Sequence, residues 1–346
     1  MAGEAPESTL TPVPLMQLST GFWAFKTLAA ATELDLFGLL ESRDGLTSGE
    51  LAGALAIAER PAEMLLTGCA ALGLLEAKHG RYRPSPLASV FLIRGRPYYF
   101  GGFVEMLDRR LYAGWAHLVK AIRTNRPTTW DPGRQRSLFE GEDEAMLTTF
   151  WEAMHSLSTF TARALAEAVD FSPYERLLDL GGGSGAFDIE LCRLYPHLRA
   201  SVYDLPTVTP LAARKIAEAG LTSRVETLEG DFFAEPNLPG GHDCVLLSMI
   251  LHDWSEHDDR QILRKCYEVL PSGGLLVVSE LLVDDAKTGP PAAALMSLNM
   301  LIETVGGRNY TAAEYAAWLD ETGFDRLRTV RFEAAGANGA LLAYKP

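Results

Sequence analysis

The stretch LLDLGGGSG, Leu177 to Gly185, constrains this chain more than any other. An apolar run ends in Asp179, and glycines then crowd positions Gly181, Gly182, Gly183 and Gly185. The pattern reads as a buried strand feeding a tight turn and a helix, with backbone bare enough for a ligand to lie against it. Such a loop at the carboxyl edge of a parallel sheet is where α/β proteins hold nucleotide-like cofactors.

The rhythm around the loop supports that sheet. From residue 176 the segments RLLDL, RASVYDL, RVETLEG, CVLLSMI and GLLVVSELL read as strands, separated by helical stretches such as LAARKIAEAG and RQILRKCYEVL. Strand-helix alternation argues for a parallel sheet covered on both faces. The end differs: TAAEYAAWLDETGF reads as a helix, and LRTVRFEA with GALLAYK as a closing pair that adds an antiparallel member.

Before residue 170 the pattern is helical. FWAFKTLAAATELDLFGLLE (22–41) carries apolar residues at helical spacing. LTSGELAGALAI (46–57) follows, with Thr47 or Ser48 placed as N-cap and Glu50 near the third position. PAEMLLTGCAALGLLEA (61–77) opens with Pro61, which suits a first helical turn, and KHGRYRPS reads as the turn of a small hairpin. Helix, turn, helix and hairpin make a winged-helix shape. Residues 99–170 continue as helices, including LYAGWAHLVKAIRT and FWEAMHSLSTFTARALAEAV. The expected division is 1–100 winged-helix module, 101–170 helical connector lining the substrate pocket, and 171–346 cofactor-binding domain.

A winged helix raises the question of DNA. Residues 41–96 hold seven Arg or Lys against six Asp or Glu, so no basic stripe marks a recognition helix. The whole chain carries a net charge of −14, which disfavours both phosphate backbones and anionic membrane surfaces. Helices this rich in Leu, Ala, Phe and Met point instead to packing against a second copy of the module. No window approaches the roughly 18 apolar residues of a membrane span, and the acidic, Pro-rich start lacks a signal peptide's features. Cys69, Cys192, Cys244 and Cys266 are scattered, without CxxC or metal-like pairing with His, so reduced thiols in the cytoplasm are expected.

Which cofactor the loop serves depends on residues downstream. Gly181, Gly183 and Ala186 formally satisfy GxGxxG/A, and Asp204 lies at a ribose-binding distance, as a nicotinamide site would require. Asp179, two residues before the first glycine, would repel a pyrophosphate there. A second acidic element, GDFF (Gly230 to Phe233), follows the third strand, and no separate catalytic domain follows the loop. These features suit S-adenosylmethionine, which is cationic at sulfur and carries an amino acid in place of pyrophosphate. Asp204 in VYDLP would take the ribose hydroxyls; Asp231 and Phe232 would take the adenine edge and face.

At this point the chain resembles a family. LLDLGGGSG, VYDLP, GDFF and MILHDWSEHDD together look like the small-molecule O-methyltransferases that include plant phenolic enzymes, acetylserotonin O-methyltransferase and bacterial natural-product tailoring enzymes. The resemblance covers nearly the whole chain, including the front module, LNMLIETVGG (298–307) and the TAAEY helix. It implies a Rossmann-like methyltransferase sheet with an antiparallel closing strand, an N-terminal winged-helix dimerisation domain, a homodimer, and catalysis without metal.

The chemistry of LHDW can be argued independently. Methyl transfer is an in-line displacement at a carbon already activated by sulfonium, so the enzyme must align the nucleophile and remove its proton. With a phenol pKa near 10 and a histidine near 6.5, full proton transfer before attack would cost roughly 5 kcal/mol. Proton removal concerted with transfer avoids much of that, and His252, just past a strand end, is the candidate base.

An orienting partner is needed on the other ring nitrogen. Glu280 in VVSELL matches the family's carboxylate at that point. Where many plant members carry Glu in GGKERT, this chain has GGRNYT, placing Asn309 there. A lysine that contacts the cofactor in plant members is Ser248 here. The resemblance points to Asp253, Asn299 and Glu303 for the substrate wall, with Asn309, Met154, Phe150 and Trp151 as further candidates. Ser158 is assigned to the cofactor. The other histidines read as structural or exposed.

The expected activity is methylation of an aromatic hydroxyl of a small molecule, with a place in secondary metabolism. Two rivals stand beside it: C-methylation of an arylpyruvate-like substrate, and a DNA-binding regulator that senses S-adenosylmethionine. Relatives of the C-methylating kind bind metal through an added His near the GG segment, and residues 298–311 contain none.

Overall fold

The computed structural model describes residues 10–134 and 144–346; the acidic opening residues 1–9 lie outside them. The chain divides into two compact units, one ending at Asp108 and one running from Arg109 to Pro346.

The first unit is helical. The spacing over 22–41 predicts one helix, but the structure has α1 (Val13–Ser19), α2 (Gly21–Glu33) and α3 (Leu36–Ser42). Asp35 sits at φ 49°, a left-handed conformation no α-helix continues through, so the apolar stripe turns a corner there. Helix α4 (Ser48–Leu55) starts on a capping box: the Thr47 hydroxyl accepts from the Glu50 N–H, and Glu50 accepts from the Thr47 N–H at 2.8 Å. Helix α5 (Glu59–Ala71) begins two residues ahead of Pro61. Strands β1 (Leu75–Lys78) and β2 (Arg81–Pro84) pair antiparallel around His79 and Gly80, both at positive φ as a two-residue hairpin turn requires. Helices α6 (Pro86–Phe91) and α7 (Gly101–Met106) complete the unit. Its core holds Phe37, Leu40, Leu51, Leu66, Cys69 and Leu75, while Leu18 and Trp23 stay 79% and 61% exposed.

A π-helical turn (Leu107–Leu111) leads into α8 (Tyr112–Trp115) and α9 (Leu118–Thr124), so LYAGWAHLVKAIRT is two short helices rather than one. Helix α10 (Glu144–Ala168) follows. The sheet is then built from β3 (Arg176–Leu180), α11 (Ala186–Leu194), β4 (Arg199–Asp204), α12 (Thr209–Glu218), β5 (Val225–Glu229), β6 (Cys244–Ser248), α13 (Glu256–Val269), β7 (Leu275–Glu280), α14 (Pro291–Glu303), α15 (Ala312–Thr322), β8 (Asp325–Arg331) and β9 (Gly339–Tyr344).

Strand order is β5-β4-β3-β6-β7-β9-β8, with β3 to β7 parallel and β8 and β9 antiparallel additions. Alternation along each strand splits the core. Leu177, Ala200, Val202 and Leu246 pack toward α10, α11 and α12; Leu178, Leu180, Val245 and Leu247 pack toward α13 and α15. The chain leaves β3 toward β4 on one side and β6 lies on its other side. That reversal opens a crevice outside the carboxyl ends of β3 and β6, where doubly wound sheets bind ligands. Among the described residues no helix is long and apolar enough to cross a membrane.

Candidate active site

Every strand bordering that crevice delivers a residue to it. At the end of β3 the loop needs glycine: Gly181, Gly183 and Gly185 all sit at positive φ (73°, 56° and 72°), which side chains rarely adopt. The loop is pinned to the end of β4. Gly181 N–H donates to the Tyr203 carbonyl at 2.8 Å, and Gly183 N–H donates to Asp204 Oδ2 at 2.8 Å. The other Asp204 oxygen accepts from Leu205 N–H at 2.7 Å. Burial raises the Asp204 pKa against these two N–H donors, which favour the carboxylate.

The third element follows β5. Gly230 N–H donates to the Asp204 carbonyl, and Asp231 Oδ1 accepts from Phe233 and Ala234 N–H, closing a tight turn. Phe232 stands edge-on to Phe233 and Trp254, with centroids 4.8 and 6.0 Å away. Ser248 ends β6 with its hydroxyl buried and without a hydrogen-bond partner among the described residues.

Asp179 sits where the sequence does not foresee. Only 2% exposed, it lies beneath the loop, with Oδ2 2.7 Å from where a Gly182 Cβ would be. Its electrostatic neighbour is the equally buried Asp188 of α11. Burial, then the Asp188 charge, raises Asp179 well above the usual carboxylate range, while burial lifts Asp188 to about 6. Two carboxyls in one dry site cannot both ionise, so the pair retains a proton. His155 also lies under the loop, its Nδ1 2.8 Å from the Ser184 hydroxyl, and burial pushes its pKa down to about 4.

The candidate base and its partner sit at the carboxyl ends of β6 and β7. Past β6 the chain makes a short 3-10 turn, Leu251–Asp253, which buries His252 to 4% exposure. Glu280, the last residue of β7, is the turn's anchor. Its Oε1 accepts from Ile250 and Leu251 N–H at 3.0 Å each, and its Oε2 lies 2.6 Å from His252 Nδ1. That contact fixes the Nδ1–H tautomer of the neutral ring and leaves Nε2 as the proton acceptor, 3.5 Å from Asp253 Oδ1. Burial depresses the imidazole pKa, but the Glu280 and Asp253 charges outweigh it and hold His252 at about 9. Burial raises Asp253 to about 6 against the pull of His252.

This pair makes a pH prediction with a definite sign. A base whose pKa is raised is protonated below that pKa, so kcat/KM should rise with pH toward a plateau above about 9. Its contribution to stability runs the other way: it is present below about 6.5 and lost as pH rises through about 9. In Glu280→Gln the acid limb of the kcat/KM profile should fall toward about 6.5 and kcat should drop roughly 10²-fold. A profile with an unmoved limb would dissociate Glu280 from the histidine.

The residues expected to face the acceptor lie on α14 and around it. Glu303 is buried and paired with Arg110 Nη1 at 2.9 Å, and Asn299 Oδ1 accepts from Trp115 Nε1 at 2.9 Å. Trp130 Nε1 donates to the Glu303 carbonyl. Met154 and Ser158 lie one turn apart on α10, both half-buried, and Trp151 sits against Gly183, its ring 3.0 Å from a would-be Cβ. Asn309 is buried and donates its amide to the Leu281 carbonyl at 2.9 Å, while its backbone N–H donates to Ser297 Oγ. Among the described residues its partners are these, not His252.

Arg110, Trp115, Trp130 and Asp188 carry no spacing signal that singles them out. Gly307 does carry a signal in its paired glycines: a Cβ there would come within 2.3 Å of the His252 carbonyl, so the GG segment packs bare backbone on the histidine turn.

A positive-φ glycine loop bonded to Asp204, and a buried histidine held by Glu280, meet at one switch point of a doubly wound sheet, where nucleotide-like cofactors bind. Comparison with known proteins sharpens the class. An O-methyltransferase domain matches residues 115–325 and an O-methyltransferase dimerisation domain matches residues 16–94. The 3-hydroxy-5-methyl-1-naphthoate 3-O-methyltransferase of Streptomyces sahachiroi is 51% identical, over 98% of this chain and 97% of its own length. A tetracenomycin polyketide synthesis 8-O-methyl transferase of Streptomyces glaucescens is 34% identical over 97% of each chain. The crystal structure of human N-acetylserotonin methyltransferase in complex with SAM superposes with a TM-score of 0.86 at 30% identity, covering 100% of this chain and 99% of that one. The chain belongs to the O-methyltransferase family.

Proposed function

We propose that the chain transfers the methyl group of S-adenosylmethionine to an aromatic hydroxyl of a small molecule in secondary metabolism, with His252 removing the hydroxyl proton. The observation that carries the reading is the Glu280–His252 contact at the switch-point crevice, 2.6 Å long and almost fully buried. S-adenosylmethionine supplies a methyl group already activated by the sulfonium. The residues present fit it: a positive-φ glycine cradle, the Asp204 carboxylate at its rim, and a buried Ser248 hydroxyl with a bond still to make. Gly181, Gly183, Gly230, Asp231, Phe232 and Ser158 would complete its surroundings, with Asp179 supporting the loop from below.

His252 does the proton work. Nδ1–H stays on Glu280, so Nε2 takes the acceptor proton and the resulting imidazolium is neutralised by Glu280. Asp253, beside Nε2, and the Asn299 and Glu303 wall orient the acceptor. Asn309 supports β7's exit loop through Leu281. The naphthoate and polyketide enzymes among the relatives favour a fused aromatic acceptor.

The test is incubation with labelled S-adenosylmethionine and a panel of phenols, with and without chelator. Label should enter the phenols at equal rates in both. A rate abolished by chelator would point to the metal-dependent rival.

The matched dimerisation domain supports a homodimer. Its exposed Leu18 and Trp23 are apolar surface of the kind a second copy covers. Replacing both by Glu should lower the mass in solution from twice the chain's 37.8 kDa to the single value, read by light scattering. An unchanged mass would place the interface elsewhere. A cytoplasmic setting accords with Cys69, Cys192, Cys244 and Cys266, all buried and unbridged.

A further inference from the structure

The opposite edge of the sheet holds a feature the methyl transfer does not use. Arg176 opens β3 and Arg199 opens β4, and the parallel register places them directly side by side. The next strand continues the row: Ala200 pairs with Val225 and its N–H donates to the Arg224 carbonyl, so Arg224 stands beside Arg199. Three arginines thus occupy one level of three adjacent strands, with backbones about 4.8 Å apart across the sheet. Like charges directly opposite one another in a sheet are destabilising, and this chain is otherwise acidic, at −14.

A carboxylate meets the row only through the backbone: Asp243 Oδ1 accepts from the Arg176 N–H at 2.9 Å. Neither Arg176 nor Arg199 makes an ion pair among the described residues. Arg224 is held instead by carbonyls at the end of α11, its Nη1 lying 2.5 Å from Cys192 O and 3.2 Å from Pro196 O. The three surround a cavity of about 90 Å³. Its floor is built from buried polar groups: Ser201, 2% exposed, and His242, 4% exposed, whose Nε2 lies 3.0 Å from the Ser201 hydroxyl. Thr222 and Ser223 add hydroxyls at the rim. The one carboxylate in the lining, Glu226, accepts from Ser201 at 2.9 Å. Burial keeps the His242 pKa below its usual value, with the nearby Arg176 charge acting the same way. The lining therefore carries three guanidiniums against one carboxylate.

We propose that this pocket is a binding site for a phosphate-type oxyanion, at the amino edge of the sheet and separate from the methyl-transfer crevice. Planar guanidinium forks match a tetrahedral oxyanion, and the hydroxyls supply short-range donors. An anion here neutralises the arginine row and ties together the starts of β3 and β4, the two strands whose far ends carry the glycine loop and Asp204. The same chemistry serves free phosphate and the terminal group of a phosphate monoester.

Thermal unfolding of the full-length protein, with potassium phosphate compared against potassium chloride at matched ionic strength, tests this. Phosphate should raise Tm saturably, by about 5 °C at a hundredfold excess over Kd. The Arg176→Ala/Arg199→Ala variant should lose that rise while its methyl-transfer rate is unchanged. In chloride alone Arg199→Ala should be at least as stable as the parent, because a like-charged neighbour is gone. If the alanine pair does not fold, Arg176→Gln/Arg199→Gln keeps the side-chain length, and phosphorus NMR line broadening on the parent reads binding directly. Glycerol 3-phosphate in parallel separates the sources: saturation by both marks a free-anion site, and saturation by the ester alone marks a phosphomonoester site. No saturable effect of either over chloride, or a rise that persists in the double variant, overturns the proposal.

Discussion

His252→Ala should lower kcat about 10³-fold, a loss of roughly 4 kcal/mol of transition-state stabilisation, while leaving the Kd for S-adenosylmethionine within about twofold. The separation follows from the geometry. His252 belongs to the turn after β6 and bonds to Glu280, whereas the glycine loop and Asp204 bond to one another. The residual activity carries its own signature. Without an imidazole, only an acceptor that has already ionised reacts, so the remaining rate should climb with pH toward the phenol's own pKa near 10. Single-turnover rates at saturating donor and acceptor, measured across pH, read both effects. Unchanged kcat in the variant would remove His252 from the role.

Asp204→Ala should act on the other half of the site, raising the Kd for S-adenosylmethionine about 100-fold by calorimetry with kcat at saturation much less affected. The carboxylate does two things at once. It accepts from Gly183 and Leu205 N–H, each of which would be left without a partner at a cost of about 1–3 kcal/mol, and in the proposed function it takes the donor's ribose hydroxyls. Asp204→Asn retains one acceptor oxygen and should fall between the two. An alanine variant that folds and binds the donor with parental affinity would reduce Asp204 to a turn former.

The two predictions rest on features of different legibility. The glycine loop, the strand ends and the histidine turn are local: each is written within a few consecutive residues, and side-chain alternation or glycine spacing exposes it. The sheet, its antiparallel closing strands and the winged front follow from such segments. The Glu280–His252 pair joins residues 28 apart, and only the resemblance linked them in the sequence.

What stayed hidden depends on distance along the chain. Arg110 meets Glu303 across 193 residues, and nothing in DRRLY separates Arg110 from Arg109 beforehand. Asp179 reads as a carboxylate beside the cofactor, because sequence places it near the loop but says nothing of which face its side chain takes. The alternation of β3 turns it inward, against Asp188. The break at Asp35 is hidden for a related reason: an apolar stripe keeps its period through a left-handed residue, so periodicity alone cannot see the corner.

The central claim is that the methyl group goes to a hydroxyl oxygen whose proton His252 takes. Carbon-13 NMR of the product formed from methyl-labelled S-adenosylmethionine and a hydroxynaphthoate tests it most directly. The account predicts a single labelled methoxy carbon, formed by the parent enzyme and nearly absent with His252→Ala. A labelled methyl on a ring carbon, or equal methoxy formation by both proteins, would contradict it.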